Sequence, residues 1–191
     1  MFNLTMLTSV EIKDFMDMFQ LFHKIKAMES MNQSLSYWMK DILSNDFFIN
    51  AVFLQYDFYK FTNWTRKVNG GSLVRKIIDD MIDKIEHNSI NRRKIFLYGS
   101  HELFIASVLQ TLKIWKPHIP QYSSAIVIEL REYRDKNFVK ILYYDGLQSI
   151  PKEMQIPGCP SLCPISKFIQ LISDQLPNYN EMICDDKPIK L

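Results

Sequence analysis

The residues best suited to chemistry are an adjacent histidine and carboxylate, His101 and Glu102, which follow Tyr98-Gly99-Ser100. A histidine can donate a hydrogen bond to an anion, and a neighbouring carboxylic acid can donate a proton to a leaving group. The chain before them, Ile95–Tyr98, is predicted to be a short buried strand that ends at the Gly-Ser pair. A helix is predicted over Leu103 to Ile114. The amides at its start would favour a phosphate. A His-Glu pair at a helix start is also typical of simple charge matching with the helix dipole, so the pair alone leaves both interpretations open.

The first half of the chain is predicted to be helical. Apolar residues recur at close to 3.6-residue spacing from Val10 to Met28. They do so again from Leu73 to Ile85, after a turn signal at Asn69-Gly70-Gly71. Phe47 to Phe61 is rich in aromatic residues and fits either a helix or a strand.

The second half has the pattern of a small sheet. Ala125–Leu130 and Phe138–Tyr144 are strand-like, and the polar run Arg134–Asn137 between them predicts a hairpin. A proline-rich loop from Pro151 to Pro164 and a helix over Ile165–Ile172 follow. The whole predicts an α/β fold, with helices flanking a small mixed sheet and a helical cap. Residues 1–88 are predicted to form the cap region and a long helix, and residues 89–191 the α/β core.

Composition narrows the class of protein. The 191 residues are 47% hydrophobic and 23% charged, as in a globular chain with a sizeable core. A net charge of +2 gives no electrostatic footprint for nucleic acid. No apolar run approaches the roughly 18 residues of a membrane span, so none is expected. The first residues lack the basic region and cleavage site of a signal peptide, and none is expected in this chain.

Two features point towards an oxidising compartment. Cys159 and Cys163 lie close together between prolines; a zinc site would need two further ligands at comparable spacing, so a local disulfide is favoured. Cys184 remains unpaired, either as a free thiol or without its partner. Asn-x-Ser/Thr sites begin at Asn3, Asn32 and Asn63, as chance motifs or as glycosylation sites. No metal and no cofactor are predicted.

Several motifs, in order, resemble those of the histidine acid phosphatases, most of all the insect venom, lysosomal and prostatic types. The resemblance runs from about residue 15 to Cys184 and rests on Glu29-Ser30-Met31-Asn32 with Leu35-x2-Trp38, Lys67-Val68-Asn69-Gly70-Gly71-Ser72-Leu73, Tyr98-Gly99-Ser100-His101-Glu102, Pro120-x-Tyr122-Ser123-Ser124-x4-Glu129-Leu130, and Pro157-Gly158-Cys159-x3-Cys163-Pro164. It implies the phosphoglycerate-mutase-like histidine phosphatase fold.

The resemblance also implies a reaction. A histidine in an Arg-His-Gly-x-Arg-x-Pro motif attacks the phosphorus of a phosphate monoester, and water then cleaves the phosphohistidine. Carried over, His101 would hold the phosphate and its transition state, and Glu102 would be the general acid. Cys159 and Cys163 would form the family's small disulfide loop, and Cys184 would match a cysteine bridged to the N-terminal part.

The chain departs from the family at the nucleophile, since no Arg-His-Gly occurs in it. The other histidines, His23, His87 and His118, lack the required neighbours and are interpreted as ordinary surface or loop residues. We therefore expect the C-terminal portion of a phosphatase, with a helical cap and an incomplete core, that is inactive alone. An inactive pseudoenzyme that binds inorganic phosphate or a partner, and an unrelated cytosolic interaction domain, are the alternatives. The resemblance further implies a secreted or lysosomal location and a homodimer.

Overall fold

The computed structural model describes residues 5–6, 11–58, 61–87 and 93–183. By its contacts the chain divides into two compact units, Met1–Phe58 and Tyr59–Leu191. The predicted division into a cap region and a core near residue 88 stays a prediction. Within the described ranges, no helix is both long enough and apolar enough to cross a bilayer.

The first unit consists of three described helices, α1 (Phe15–Ser30), α2 (Tyr37–Leu43) and α3 (Asp46–Phe58). Asp14 and Asp17 form a capping box that starts α1. The aromatic-rich segment that fits helix or strand by sequence forms the helix α3, because the residues it buries recur at helical spacing: Phe48, Ala51, Val52, Gln55 and Tyr56. Phe22 of α1 packs against Phe48, with ring centroids 6.4 Å apart.

The second unit begins with a continuous helical run. It contains α4 (Asn63–Arg66), a π-helical turn (Lys67–Gly71) and α5 (Ser72–Glu86). The turn predicted at Asn69-Gly70-Gly71 is wrong, since these residues stay within the helical run. Its two glycines instead allow backbone from other parts of the chain to pack closely against the helical run. A Cβ on Gly70 would lie 2.3 Å from the carbonyl oxygen of Ser107, and one on Gly71 would lie 2.4 Å from that of Gln175.

A hairpin dominates the sheet and confirms the prediction. Strands β1 (Ala125–Tyr133) and β2 (Lys136–Tyr144) pair along their whole lengths. The two residues between them, Arg134 and Asp135, have φ of 50° and 57°, as a tight hairpin turn with right-handed strand twist requires. On its other side β2 pairs with the short strands β3 (Lys152–Met154) and β4 (Cys163–Pro164). Every pairing in this described sheet is antiparallel, which differs from the mixed sheet that the sequence predicts.

The core of the second unit lies between β2 and three helices. These helices are α5, α6 (Glu102–Thr111) and α7 (Ile165–Ile172). Its most deeply buried side chains come from all four elements and include Val74, Ile78, Leu109, Val139, Phe168 and Ile172. Further contacts join the helical run to the end of the described chain: the Lys67 ammonium lies 3.0 Å from the Glu181 carboxylate, and the Arg75 Nε donates to the Pro177 carbonyl oxygen.

The strand predicted over Ile95–Tyr98 is wrong. Residues 93–101 have no regular secondary structure, and Ile95 and Leu97 are 71% and 90% exposed. A strand requires a neighbouring strand to take its backbone hydrogen bonds. Among the described residues, the sheet contains no strand from this segment. The apolar pattern is therefore present without the pairing that it predicts.

Cys159 and Cys163 form the disulfide that the sequence favours, and both side chains are buried in the core. Reducing it is expected to lower the free energy of unfolding by about 2 kcal/mol, because the cross-link restricts the unfolded chain. Urea unfolding of the oxidised and reduced protein measures this difference. Thiol titration of the denatured, unreduced protein should count one reactive group, that of Cys184. Three reactive groups would contradict the pairing.

Candidate functional site

The sequence-predicted pair of residues starts helix α6. His101 is the residue that caps the helix, in the extended conformation with φ −109° and ψ 169°. Its carbonyl oxygen accepts the amides of Phe104 and Ile105 at 3.0 and 3.2 Å. Glu102 is the first helical residue, half-buried, while the His101 side chain is exposed. A carboxylate and an imidazole thus stand side by side at the positive end of a helix dipole.

Helix α6 is held firmly behind this pair. Residues Ala106 to Thr111 are all buried. The Ser107 hydroxyl donates to the Leu103 carbonyl oxygen at 2.8 Å, and the Thr111 hydroxyl donates to the Ser107 carbonyl oxygen at 3.0 Å. Gly70 of the π-helical turn touches the same backbone. A helix packed in this way fixes the position and direction of its first turn.

The segment before His101 is attached to α5 through its aromatic residues. The Tyr98 hydroxyl donates to the Asp80 carboxylate at 3.2 Å, and the Phe96 ring lies 5.7 Å from the Lys76 ammonium. Burial and the negative charge of Asp80 raise the pKa of Tyr98. A hydrogen bond to Asp80 raises the pKa of Lys76. Between Tyr98 and His101 the chain is exposed, and a Cβ on Gly99 would meet no atom within 4 Å.

The pair can hold an anion and transfer a proton. The exposed imidazole and the first amides of α6 suit a phosphate oxygen, and Glu102 in its acid form suits a leaving alcohol. That the site lacks a nucleophile of its own stays a prediction. Among the described residues, no group of three or more metal-ligating side chains occurs. The absence of a metal and of a cofactor from the function stays a prediction.

The other three histidines each have separate surroundings. His23 of α1 lies between the rings of Phe19 and Phe22, with centroids at 4.3 and 5.3 Å. His87 ends α5, and its Nδ1 lies 3.2 Å from the Asp83 carboxylate. The contact described for His87 includes neither His101 nor Glu102.

Of the three histidines, His118 has the surroundings that differ most from those expected of an ordinary loop histidine. Its ring nitrogens lie 2.7 Å from the Lys116 carbonyl oxygen and 2.7 Å from the Tyr143 hydroxyl. His118 and Tyr143 are 25 residues apart, so no short-range spacing signals the contact.

The candidate glycosylation sites differ in their surroundings. Asn32 is exposed just after α1, with φ 54°. Asn63 is exposed at the start of α4, and its side-chain oxygen accepts a hydrogen bond from Arg66. Asn3 lies outside the described residues, as does Cys184. Use of any of these sites as a glycan attachment point stays a prediction.

Comparison with known proteins identifies a family. Residues 3–144 match the model of the histidine phosphatase superfamily (branch 2). The chain is 36% identical over 171 residues to venom acid phosphatase Acph-1 of Apis mellifera, covering 90% of this chain and 44% of that protein. It is 28% identical over 111 residues to prostatic acid phosphatase of Rattus norvegicus, covering 58% of this chain and 29% of the relative. Lysosomal acid phosphatase of the same species is 22% identical over 119 residues, covering 62% and 28%. The chain thus spans less than half the length of these relatives.

Proposed function

Because this chain belongs to branch 2 of the histidine phosphatase superfamily, with the α/β phosphoglycerate-mutase-like fold, we propose that it supplies half of a phosphomonoesterase site. A segment with the Arg-His-Gly-x-Arg-x-Pro motif, which these 191 residues do not contain, supplies the other half. The observation that carries the proposal is the position of His101 and Glu102 at the start of the buried helix α6. Family membership makes the interpretation as an unrelated interaction domain wrong.

Each residue of the pair has a role in the proposed reaction. The nucleophilic imidazole of the other segment forms a bond to phosphorus while the bond to the ester oxygen breaks. Glu102 gives that oxygen its proton, so an alcohol leaves. His101 and the first amides of α6 hold the equatorial oxygens, on which negative charge accumulates. Glu102 then accepts a proton from the water that hydrolyses the phosphohistidine, which restores the starting state.

The same proposal includes a substrate and a location. The substrate is a phosphate monoester, and inorganic phosphate is the product that binds the same place. The buried disulfide supports a secreted or lysosomal location, because such cross-links persist in oxidising compartments. The names of the venom, prostatic and lysosomal relatives agree with it. A homodimer is part of the proposal by analogy with the family.

The purified chain alone is expected to show no turnover of p-nitrophenyl phosphate at pH 5. Loss of a covalent nucleophile removes the intermediate itself, which in other hydrolases costs about six orders of magnitude in rate. Glu102→Ala is the matched control, prepared in the same way. Turnover by the wild-type chain that disappears in Glu102→Ala would show that the site is complete without a second segment.

Phosphate binding without turnover is the second candidate function. The exposed imidazole at the helix start favours it, because anion binding there requires no nucleophile. Titration with inorganic phosphate, followed by NMR, should shift the His101 ring and the amides of Glu102 and Leu103. His101→Asn should weaken these shifts. A chain that binds phosphate and stays inactive after addition of the nucleophile segment would be the pseudoenzyme.

A further inference from the structure

A hydrogen-bond network joins the end of strand β2 to the loop that precedes β1. Tyr143, only 4% exposed, lies near the end of β2. Its hydroxyl oxygen is 2.7 Å from Nε2 of His118 and 3.3 Å from Oδ1 of Asp145. Both of these atoms can accept a proton, and a phenol has only one to give. The Tyr143 hydroxyl can therefore donate its hydrogen bond to only one of these two atoms at a time.

The protonation state of His118 determines which of the two atoms accepts this hydrogen bond. Its Nδ1 lies 2.7 Å from the Lys116 carbonyl oxygen, which can only accept, so Nδ1 carries a hydrogen. In the neutral ring Nε2 then has a lone pair, and the Tyr143 hydroxyl donates to it. In the protonated ring Nε2 carries a hydrogen as well and donates to the Tyr143 oxygen. The hydroxyl proton of Tyr143 is then available to Asp145.

Asp145 also holds the turn that leads into β1. Its Oδ1 accepts the Gln121 amide at 3.3 Å and lies 3.4 Å from the Ser124 hydroxyl. The turn is closed by the Ser124 amide, which donates to the Gln121 carbonyl oxygen at 3.1 Å. Ser123 within it has φ 64°, a conformation that costs a non-glycine residue free energy. The carboxylate therefore stabilises a turn that is strained by itself.

We propose that protonation of His118 transfers the hydrogen bond donated by the Tyr143 hydroxyl from His118 to Asp145. This transfer would link the Gln121–Ser124 turn more firmly to the end of β2. This His118–Tyr143–Asp145 clasp is a pH-operated element of the second unit. In acid, one oxygen of the Asp145 carboxylate accepts hydrogen bonds from the Tyr143 hydroxyl and the Gln121 amide. Near neutrality it keeps the one from the Gln121 amide, while the Ser124 hydroxyl donates to the Gln121 carbonyl oxygen at 2.7 Å. The inference does not depend on the proposed phosphatase function.

The surroundings of Tyr143 and His118 include charged, apolar and aromatic residues. Burial, with the nearby Asp145 charge, raises the pKa of Tyr143 to about 12, so the phenol keeps its proton wherever histidine titrates. Asp145 is a charged group of the network itself, Lys116 contributes its backbone carbonyl oxygen, and Lys152 pairs in register with Tyr143 from β3. The partner of Tyr143 on β1 is the apolar Ile126. The Trp115 ring packs on His118, with centroids 4.7 Å apart.

NMR of the full chain between pH 5.5 and 8 tests the clasp, because ordinary carboxylates do not titrate in that range. We expect the Gln121 and Ser124 amides to shift with the same midpoint as the His118 ring. In Tyr143→Phe the His118 ring should still titrate, while the response of the two amides is lost. Tyr144→Phe, with its side chain on the opposite face of β2, is the matched control and should keep the response.

Two results would overturn the proposal. One is an amide response that persists in Tyr143→Phe; the other is the absence of any response in the wild-type chain. If Tyr143→Phe does not fold, His118→Gln tests the proposal in the same measurement, because the glutamine side chain does not titrate. A Gln121 response that survives this substitution would also refute the clasp.

Discussion

Adding a segment that carries Arg-His-Gly-x-Arg-x-Pro is expected to raise phosphatase activity by about six orders of magnitude, the loss seen when hydrolases lack their nucleophile. The segment would be co-expressed with this chain as a separate polypeptide. Turnover of p-nitrophenyl phosphate at pH 5 is the measurement. Replacing the histidine of the added segment by alanine should abolish the gain.

In that reconstituted enzyme Glu102→Gln is expected to lower kcat by about 10²- to 10⁴-fold, the usual contribution of a general acid. The loss should be larger for an alkyl phosphate than for p-nitrophenyl phosphate, since a poor leaving group needs the proton more. Glu132→Gln, at an exposed position of β1, is the matched control. Equal activity of the Glu102→Gln and control enzymes would remove Glu102 from the mechanism.

Gly70→Ala is expected to destabilise the fold by about 3 kcal/mol, the upper end of overpacking costs. The added methyl would lie 2.3 Å from the Ser107 carbonyl oxygen and 2.4 Å from the Thr111 hydroxyl oxygen. Both atoms belong to the buried part of α6, which cannot move aside without disturbing the core. Alanine would gain about 1 kcal/mol of helix propensity, which is too little to compensate.

Gly99→Ala is the control for this experiment, because its methyl would meet no atom within 4 Å. We expect it to change the free energy of unfolding by less than about 0.5 kcal/mol, as at other open surface positions. Urea unfolding of both variants gives the comparison. A Gly70→Ala protein with the wild-type midpoint would show that the π-helical turn and α6 have room to separate.

The sequence predicted correctly those features that depend on residues close together in the chain. The β1–β2 hairpin follows from two strand-like runs with a polar segment between them, and helix α7 follows from helical spacing. The disulfide also follows from short spacing. A helix that starts next to His101 and Glu102 follows from helical spacing as well, while the roles of the two residues stay predictions.

The errors arose where a distant partner decides the outcome. Gly70 and Gly71 favour a turn by themselves, but close approach by Ser107 and Gln175 is what requires glycine there. Ile95–Tyr98 has the apolar pattern of a strand, yet pairing depends on a neighbour that the pattern does not contain. His118 gives no local sign of Tyr143, since folding alone brings them together.

The spread of the core along the chain has a consequence for biosynthesis. Arg75 and Pro177, which are joined by a hydrogen bond, are 102 residues apart, and the core side chains extend from Val74 to Leu176. At about 5–20 residues per second, a ribosome needs about 5 to 20 s to add that length. During this interval the apolar face of α5 has no finished core to join. The nascent chain therefore depends on shielding of that face until α7 has been translated.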